Sequence, residues 1–337
     1  MTKIILSVSP FLSKEGLISV RELSKIYESQ GFETRIIEES LFGLIRIFFS
    51  RVAVIDFHGA PRISTLAFAK IIKRSSTKVF TIHERAEFLP GNNFWKRMMI
   101  RLGTYFAIKT VDDVIVTQRS LQVFFRHQFK FLPAYIPEGV STFYPKKVTT
   151  PFKLKKGKYL AFIDKDFSIP KRAETSIRNI INPKPFVIVD IENLFLRIPG
   201  NIKSKRVSGN CTDLELTGIL KNCLGIVLPE PLSVIAARQL ILYKKPILAL
   251  ATVEHKEALG TNGIFLSELK EIKDHIQDLQ LNKNRQRAYK AARQVENLFN
   301  WEFIANEYLK VYFHKLNSPI NIDSVFKIRL KESEGEG

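Results

Sequence analysis

Lys165 and Lys171 flank a short loop that follows the strand-like run KYLAFID, and two ammonium groups placed there could neutralise a phosphate-like anion. Solvated loop lysines are the bland alternative. Gly16, in LSKEGL, precedes a helical run, so backbone N–H groups and a helix N-terminus could approach an anion; a tight turn would also use one glycine there. His83 ends the run KVFTIH and His58 ends VAVIDFH, which puts both at the carboxyl ends of strands, where ligands sit in α/β sheets. Each is either a ligand group or a satisfied structural histidine, and His58 either shapes a binding surface or caps the turn before a helix near residue 62. Glu230 follows the apolar run GIVLP in the same way. The six histidines are scattered, with no pair at helical ligand spacing beside a carboxylate, so neither a metal nor another cofactor is expected. Cys211 and Cys223 match no zinc or redox spacing and are expected to be reduced, buried thiols.

Such groups act together only if a scaffold gathers strand ends. KIILSVSP reads as a buried strand, and Leu17, Val20, Leu23, Ile26 and Tyr27 then recur at helical spacing up to Gly31. FETRIIE, VAVIDFHG, KVFTIHE and DDVIVTQ supply more strands, with helical runs such as RISTLAFAKIIKRS and FWKRMMIRLGTYFAIKT between them. The segment YPKKVTTPFKLKKGK has no periodicity, and alternation restarts beyond it with KYLAFID, FVIVD, KRVSG, GIVLPE, PILALA and GIFL. An α/β chain of two parallel-sheet domains is expected, long enough at 337 residues to fill two cores. The division read from composition is 1–148, a linker at 149–156, a second domain at 157–300, a C-terminal helix at 301–318 returning towards the first domain, and a tail at 319–337 whose acidic, glycine-containing end is expected to be disordered.

With 52 Lys and Arg against 33 Asp and Glu, the formal charge is +19, which favours anionic partners: phosphorylated small molecules, anionic lipid or nucleic acid. The basic runs are not interleaved with aromatics in a nucleic-acid-binding module, so nucleic acid is not the expected partner. No run is apolar enough for a spanning helix and no signal cleavage site follows the N-terminal stretch, so a cytoplasmic location is expected. SLFGLIRIFFSR, residues 40–51, carries aromatics beside Arg46 and Arg51. It either lies peripherally on an anionic membrane face or packs on the sheet.

The motifs, taken in order, resemble a retaining glycosyltransferase of GT-B type, in the large family four. The opening ILSVSPFLSKEGLISVRELSKIYESQGFETRII is similar to that family's first strand, glycine loop and helix, and VFTIHE to its strand ending in histidine. DDVIVTQRSLQVFF with YIPEGVSTFYP resembles the pair of motifs closing the first domain. FIDKDFSIPKRAETSI, RVSGNCTDLELTGILKNCLGIVLPEP and NLFNWEFIANEYLKVY resemble three motifs of the second. The resemblance covers nearly the whole chain. It implies two doubly wound Rossmann-like domains facing each other across a cleft, nucleotide-sugar donor in the second and acceptor in the first.

The resemblance also implies roles. Lys165 and Lys171 would hold the donor diphosphate, where charge builds as the sugar–phosphate bond breaks. Glu230 would accept from donor sugar hydroxyls, with Gly16, Leu232 and Ser233 lining the donor. His83 would contact the transferred sugar, and His58 and Glu84 would face the acceptor. A second carboxylate normally holds the ribose eight residues after the first; here the candidates are Arg238 and, with a one-residue insertion, Gln239. Asp164 and Lys244 stand where glycine and a small residue are usual. The expected activity is transfer of a hexose-type sugar, with retention of anomeric configuration, to a glycan or lipid-linked acceptor. The alternative is a catalytically inactive relative that binds nucleotide sugar or serves as scaffold for another glycosyltransferase.

Overall fold

The computed structural model describes residues 2–10, 12–40, 45, 51–83 except 73–74, 94–141, 148, 154–164, 171–181, 184–190, 195–197, 209–210 and 212–313. Glu84, Lys165, most of residues 40–51 and the tail from 314 lie outside these residues, as does the side chain of Lys171. The chain forms two units, one of residues 1–137 with 304–337 and one of residues 138–303.

In the first unit β1 (Lys3–Val8) leads to α1 (Lys14–Ser29), β2 (Glu33–Glu38) and β3 (Val54–His58). Then come α2 (Ile63–Ile72), β4 (Thr77–Ile82), α3 (Phe94–Thr110), β5 (Asp113–Val116), α4 (Arg119–Phe129) and β6 (Ala134–Tyr135). All pairings are parallel, in the order β2-β1-β3-β4-β5-β6. Parallel strands buried on both faces must be apolar nearly throughout, which is why KIILSV and VIDFH read as continuous runs. Helix α1 buries Val20, Leu23 and Tyr27 against the sheet, and Ser13 caps it by accepting from Gly16 N at 3.1 Å. Ile5, Ile55, Phe57, Phe80 and Phe125 share the core on one face of this sheet, each burial contributing roughly 1.5–3 kcal/mol.

The second unit contains β7 (Leu160–Asp164), α5 (Lys171–Ile181), β8 (Phe186–Asp190), β9 (Phe195–Arg197), β10 (Gly209–Asn210) and α6 (Asp213–Asn222). It continues through β11 (Gly225–Leu228), α7 (Val234–Ile241), β12 (Ile247–Leu250), α8 (Val253–Leu259), β13 (Gly263–Leu266), α9 (Ile272–His275) and α10 (Asn282–Leu298). Its sheet runs β10-β9-β8-β7-β11-β12-β13. Here the parallel pattern breaks at one edge: β9 pairs antiparallel with β8, Asp190 facing Phe195. A connection that short cannot make the crossover a parallel strand needs.

The units part at Pro137/Glu138, ahead of the break read from composition at 149–156. Backbone contacts place this stretch: Val140 N donates to Phe299 O at 2.7 Å, inside the second unit. The last helix, α11 (Trp301–Tyr312), spans the return, and from Ile304 onwards it belongs to the first unit. There Tyr312 reaches Asp56 on β3, and Gln30 at the end of α1 donates to Asn306 at 3.0 Å. Among the described residues no helix is long and apolar enough to cross a membrane.

Candidate functional site

Each sheet has one place where neighbouring strands lead their connections in opposite directions, and loops splay apart there to leave room for a ligand. In the first unit that place lies between β1 and β3, and in the second between β7 and β11. Ser9 and His58–Gly59 stand at the first; Glu230 stands at the second, with Lys165 next in the chain after the last residue of β7.

At the first switch point His58 and His83 end adjacent strands, and neither ring is exposed to solvent. The rings stack at 5.2 Å between centroids, with His58 Nδ1 2.9 Å from His83 Nε2. His58 Nε2 lies 3.3 Å from Asp56 Oδ2, two residues earlier on the same strand face. Asp56 is itself fully buried and accepts from Thr81 Oγ1, at 2.8 and 3.0 Å to its two oxygens, and from the Tyr312 hydroxyl. Burial alone would raise its carboxyl. The adjoining His58 imidazole and these hydrogen bonds outweigh that and hold it below the ordinary carboxylate value.

His58 Nδ1 and His83 Nε2 share one hydrogen bond whose donor depends on the tautomers, while His58 Nε2 faces Asp56 Oδ2 without making a hydrogen bond of its own. Gly16 permits this arrangement: a Cβ there would lie 3.2 Å from His83 Cδ2 and 2.5 Å from the Leu12 side chain. The sequence reading picked out both histidines and missed Asp56 and Tyr312, although an aspartate inside the apolar strand VIDFH was a signal.

A second carboxyl at this edge was also missed. Glu39, directly after β2, is buried; its Oε2 accepts from Arg62 N at 2.9 Å at the start of α2, while its Oε1 has no hydrogen-bond partner. Burial raises its pKa to about 7, with the Arg62 amide only partly opposing the shift.

At the second switch point the loop from Glu230 to Ser233 joins β11 to α7. Glu230 is half-buried and Leu232 buried, while Ser233 caps α7 by accepting from Ala236 N at 3.3 Å. His255, which sequence reasoning did not single out, fixes this loop from beneath. Its Nδ1 donates to Leu250 O at 2.9 Å, so Nε2 is the acceptor for Leu232 N–H at 3.3 Å. Burial lowers its pKa and so keeps the ring neutral, as that bond requires.

Arg238 and Gln239 are both engaged elsewhere. Arg238 is 2% exposed, donates from Nη1 to Glu138 O at 3.3 Å and lies 4.0 Å over the Phe299 ring. Gln239 grips one residue twice, donating to Ser141 O at 2.8 Å and accepting from Ser141 N at 3.1 Å. Asp164 is fully buried and pairs in register with the nearly buried Asp190 of β8. Among the described residues no three His, Cys, Asp or Glu side chains cluster as metal ligands.

Comparison with family models and with curated proteins gives no match. Solved structures do match over almost the full length. A glycosyltransferase from Rickettsia africae superposes with a TM-score of 0.66 at 13% identity, covering 94% of this chain and 99% of that one. The chain has the GT-B fold. An alpha-glucosyltransferase in complex with UDP and a DNA 13-mer superposes at 0.61 with 10% identity, covering 93% and 100%. A Listeria monocytogenes protein assigned as a UDP-N-acetylglucosamine 2-epimerase does so at 0.57 with 11% identity, covering 95% and 99%. GT-B chains thus include transferases and an epimerase, so chemistry must be argued from the site.

Proposed function

We propose that this GT-B protein is a metal-independent, retaining glycosyltransferase of family-four type. It takes a nucleotide-sugar donor on its second unit and a glycan or lipid-linked acceptor on its first. The observation that supports this reading is that three of the residues nominated from sequence stand at strand ends near the switch points, Glu230 in the second unit and His58 beside His83 in the first. The UDP held in the alpha-glucosyltransferase complex agrees with a nucleotide-sugar donor.

In this reading Glu230 accepts from hydroxyls of the donor sugar, and Lys165 and Lys171 neutralise the diphosphate as it leaves. Leu232 and Ser233 shape the space around it on the second unit. His83, with His58 and Asp56 behind it, offers a hydrogen-bonding and chargeable group to the sugar being transferred, and Glu84 completes the acceptor side. No metal enters. A thermal-shift screen of nucleotide sugars, followed by NMR of the product's anomeric proton with an accepting extract, tests the proposal. Stabilisation and a retained anomer are expected, and an inverted anomer would overturn retention.

One observation favours the inactive alternative. Arg238 and Gln239, the candidates for the missing ribose carboxylate, are both tied to Glu138–Ser141. Donor binding without turnover against any extract would select that scaffold reading.

A further inference from the structure

The chain between β11 and α7 has little freedom of its own. Glu230 lies between Pro229 and Pro231, whose rings fix φ, and a residue ahead of proline is confined to extended backbone. The direction Glu230 takes is therefore set by wherever Leu232 is held. A side chain holds it: Leu232 N–H donates to His255 Nε2 at 3.3 Å. His255 stands in the first turn of α8, where its own N–H donates to the capping Thr252 hydroxyl at 3.2 Å, and its ring is shielded from solvent. Both ring nitrogens meet backbone groups whose roles cannot be exchanged. Leu250 O, at the end of β12 and 2.9 Å from Nδ1, only accepts, and Leu232 N–H only donates. The neutral ring with its proton on Nδ1 satisfies both partners, and the doubly protonated ring satisfies one.

We propose that His255 is a positioning residue for the nucleotide-sugar donor: its neutral ring, acting through Leu232 N–H, sets the loop Glu230–Ser233 in the arrangement that takes the donor, and a proton on Nε2 releases that loop. Resting on the donor reading of the second unit, this makes donor affinity depend on pH. A proton on Nε2 would point at Leu232 N–H and leave a buried amide unpaired. Burial disfavours the charged ring and outweighs the Leu250 backbone, the charge of Glu254 and the Glu230 backbone, all of which favour it. Other charged groups around the ring are few. Strands β12 and β13 carry none, and α7 carries Arg238 alone, which is engaged with Glu138 O and the Phe299 ring. Helix α8 itself adds the exposed Lys256 and the half-buried Glu257. Since burial sets the ring below its ordinary value of 6.5, donor affinity is complete above 6.5 and is lost as pH falls through the lowered value.

The test is isothermal titration of the full chain with UDP-, GDP- and dTDP-sugars from about pH 8 to about pH 5, with folding at each pH followed by circular dichroism. The diphosphate of these donors keeps its charge over that range. The affinity of the best binder is expected to hold down to the pKa of the ring and then to fall by up to about tenfold per pH unit, the limit for one proton. His255→Ala should weaken binding about tenfold at about pH 8, through the unpaired Leu232 amide. His255→Gln, whose amide oxygen stands in for Nε2 and takes no proton, should recover most of that loss and show no fall at acid pH. Long-range proton–nitrogen NMR should show the Nδ1–H tautomer and a ring that titrates in step with the affinity. An Nε2–H tautomer, or a Gln variant whose affinity falls with pH as the parent's does, would overturn the proposal. So would donor binding that is alike in all three proteins at every pH, which leaves the donor site standing without His255. Absence of binding by the parent chain at any pH would instead remove the donor reading, and this proposal with it.

Discussion

Asp56 is fully buried, and both hydroxyls that donate to it are neutral, so His58 is the basic side chain that meets its charge among the described residues. A hydrogen bond to a buried carboxylate is worth about 1.5–3 kcal/mol, and Tyr312→Phe should lower the unfolding free energy by about that much in urea denaturation. Glu39 gives a pH signature. Its folded pKa of about 7 lies above the unfolded 4.5, so its contribution is intact below 4.5 and is lost as pH rises through 7. Relative to Glu39→Gln, the parent chain should lose on the order of 3 kcal/mol between about pH 4.5 and pH 8, followed by urea midpoints. His255 has the opposite sign. Its pKa is depressed, so stability is intact above the unfolded value of 6.5 and falls as pH drops below it, when Nε2 must gain a proton against Leu232 N–H. His255→Ala should remove that acid sensitivity and cost about 1–3 kcal/mol at neutral pH through the unpaired amide.

At the scale of elements, helix α7 shows what was legible in the sequence and what was not. The strand GIVLP that leads to Glu230 and the strand PILALA beyond the helix could be placed from pattern, because strands and their ends have local signatures. The partners of Arg238 and Gln239 could not, since they lie about a hundred residues away in the chain, at Glu138 and Ser141. The hairpin edge of the second sheet was hidden for a different reason: β9 and β10 are three and two residues long, too short for any periodicity. Lys244, noted as unusual, takes φ of +60° just beyond the end of α7, a conformation glycine adopts without strain. Lys244→Gly should therefore raise stability by about 1 kcal/mol, less the small loss of its Glu296 ion pair at 3.7 Å. Gly139 is the converse. A Cβ there would fall 2.4 Å from the Trp301 ring, and Gly139→Ala should cost about 1–3 kcal/mol in thermal or urea unfolding.

For the whole molecule, alternation of strands and helices sufficed for two parallel-sheet units, and strand order then located a switch point in each, with His58 at one and Glu230 at the other. Periodicity reports which face a side chain takes, whereas the choice of substrate depends on a few contacts at loop ends, and structures with identities of 10 to 13% share the fold without sharing a reaction. The excess of 52 basic over 33 acidic residues is a property of the same scale, suited to phosphorylated donors and to anionic surfaces alike. The central claim is that the second unit holds a nucleotide sugar through Glu230. Its most direct test is the rate of nucleoside diphosphate release from the donor that binds best, compared between the parent chain and Glu230→Ala with the fold checked by circular dichroism. A fall of about a hundredfold or more is expected for a contact made at the reacting sugar. An equal rate in the two proteins, or no donor bound by either, would contradict it.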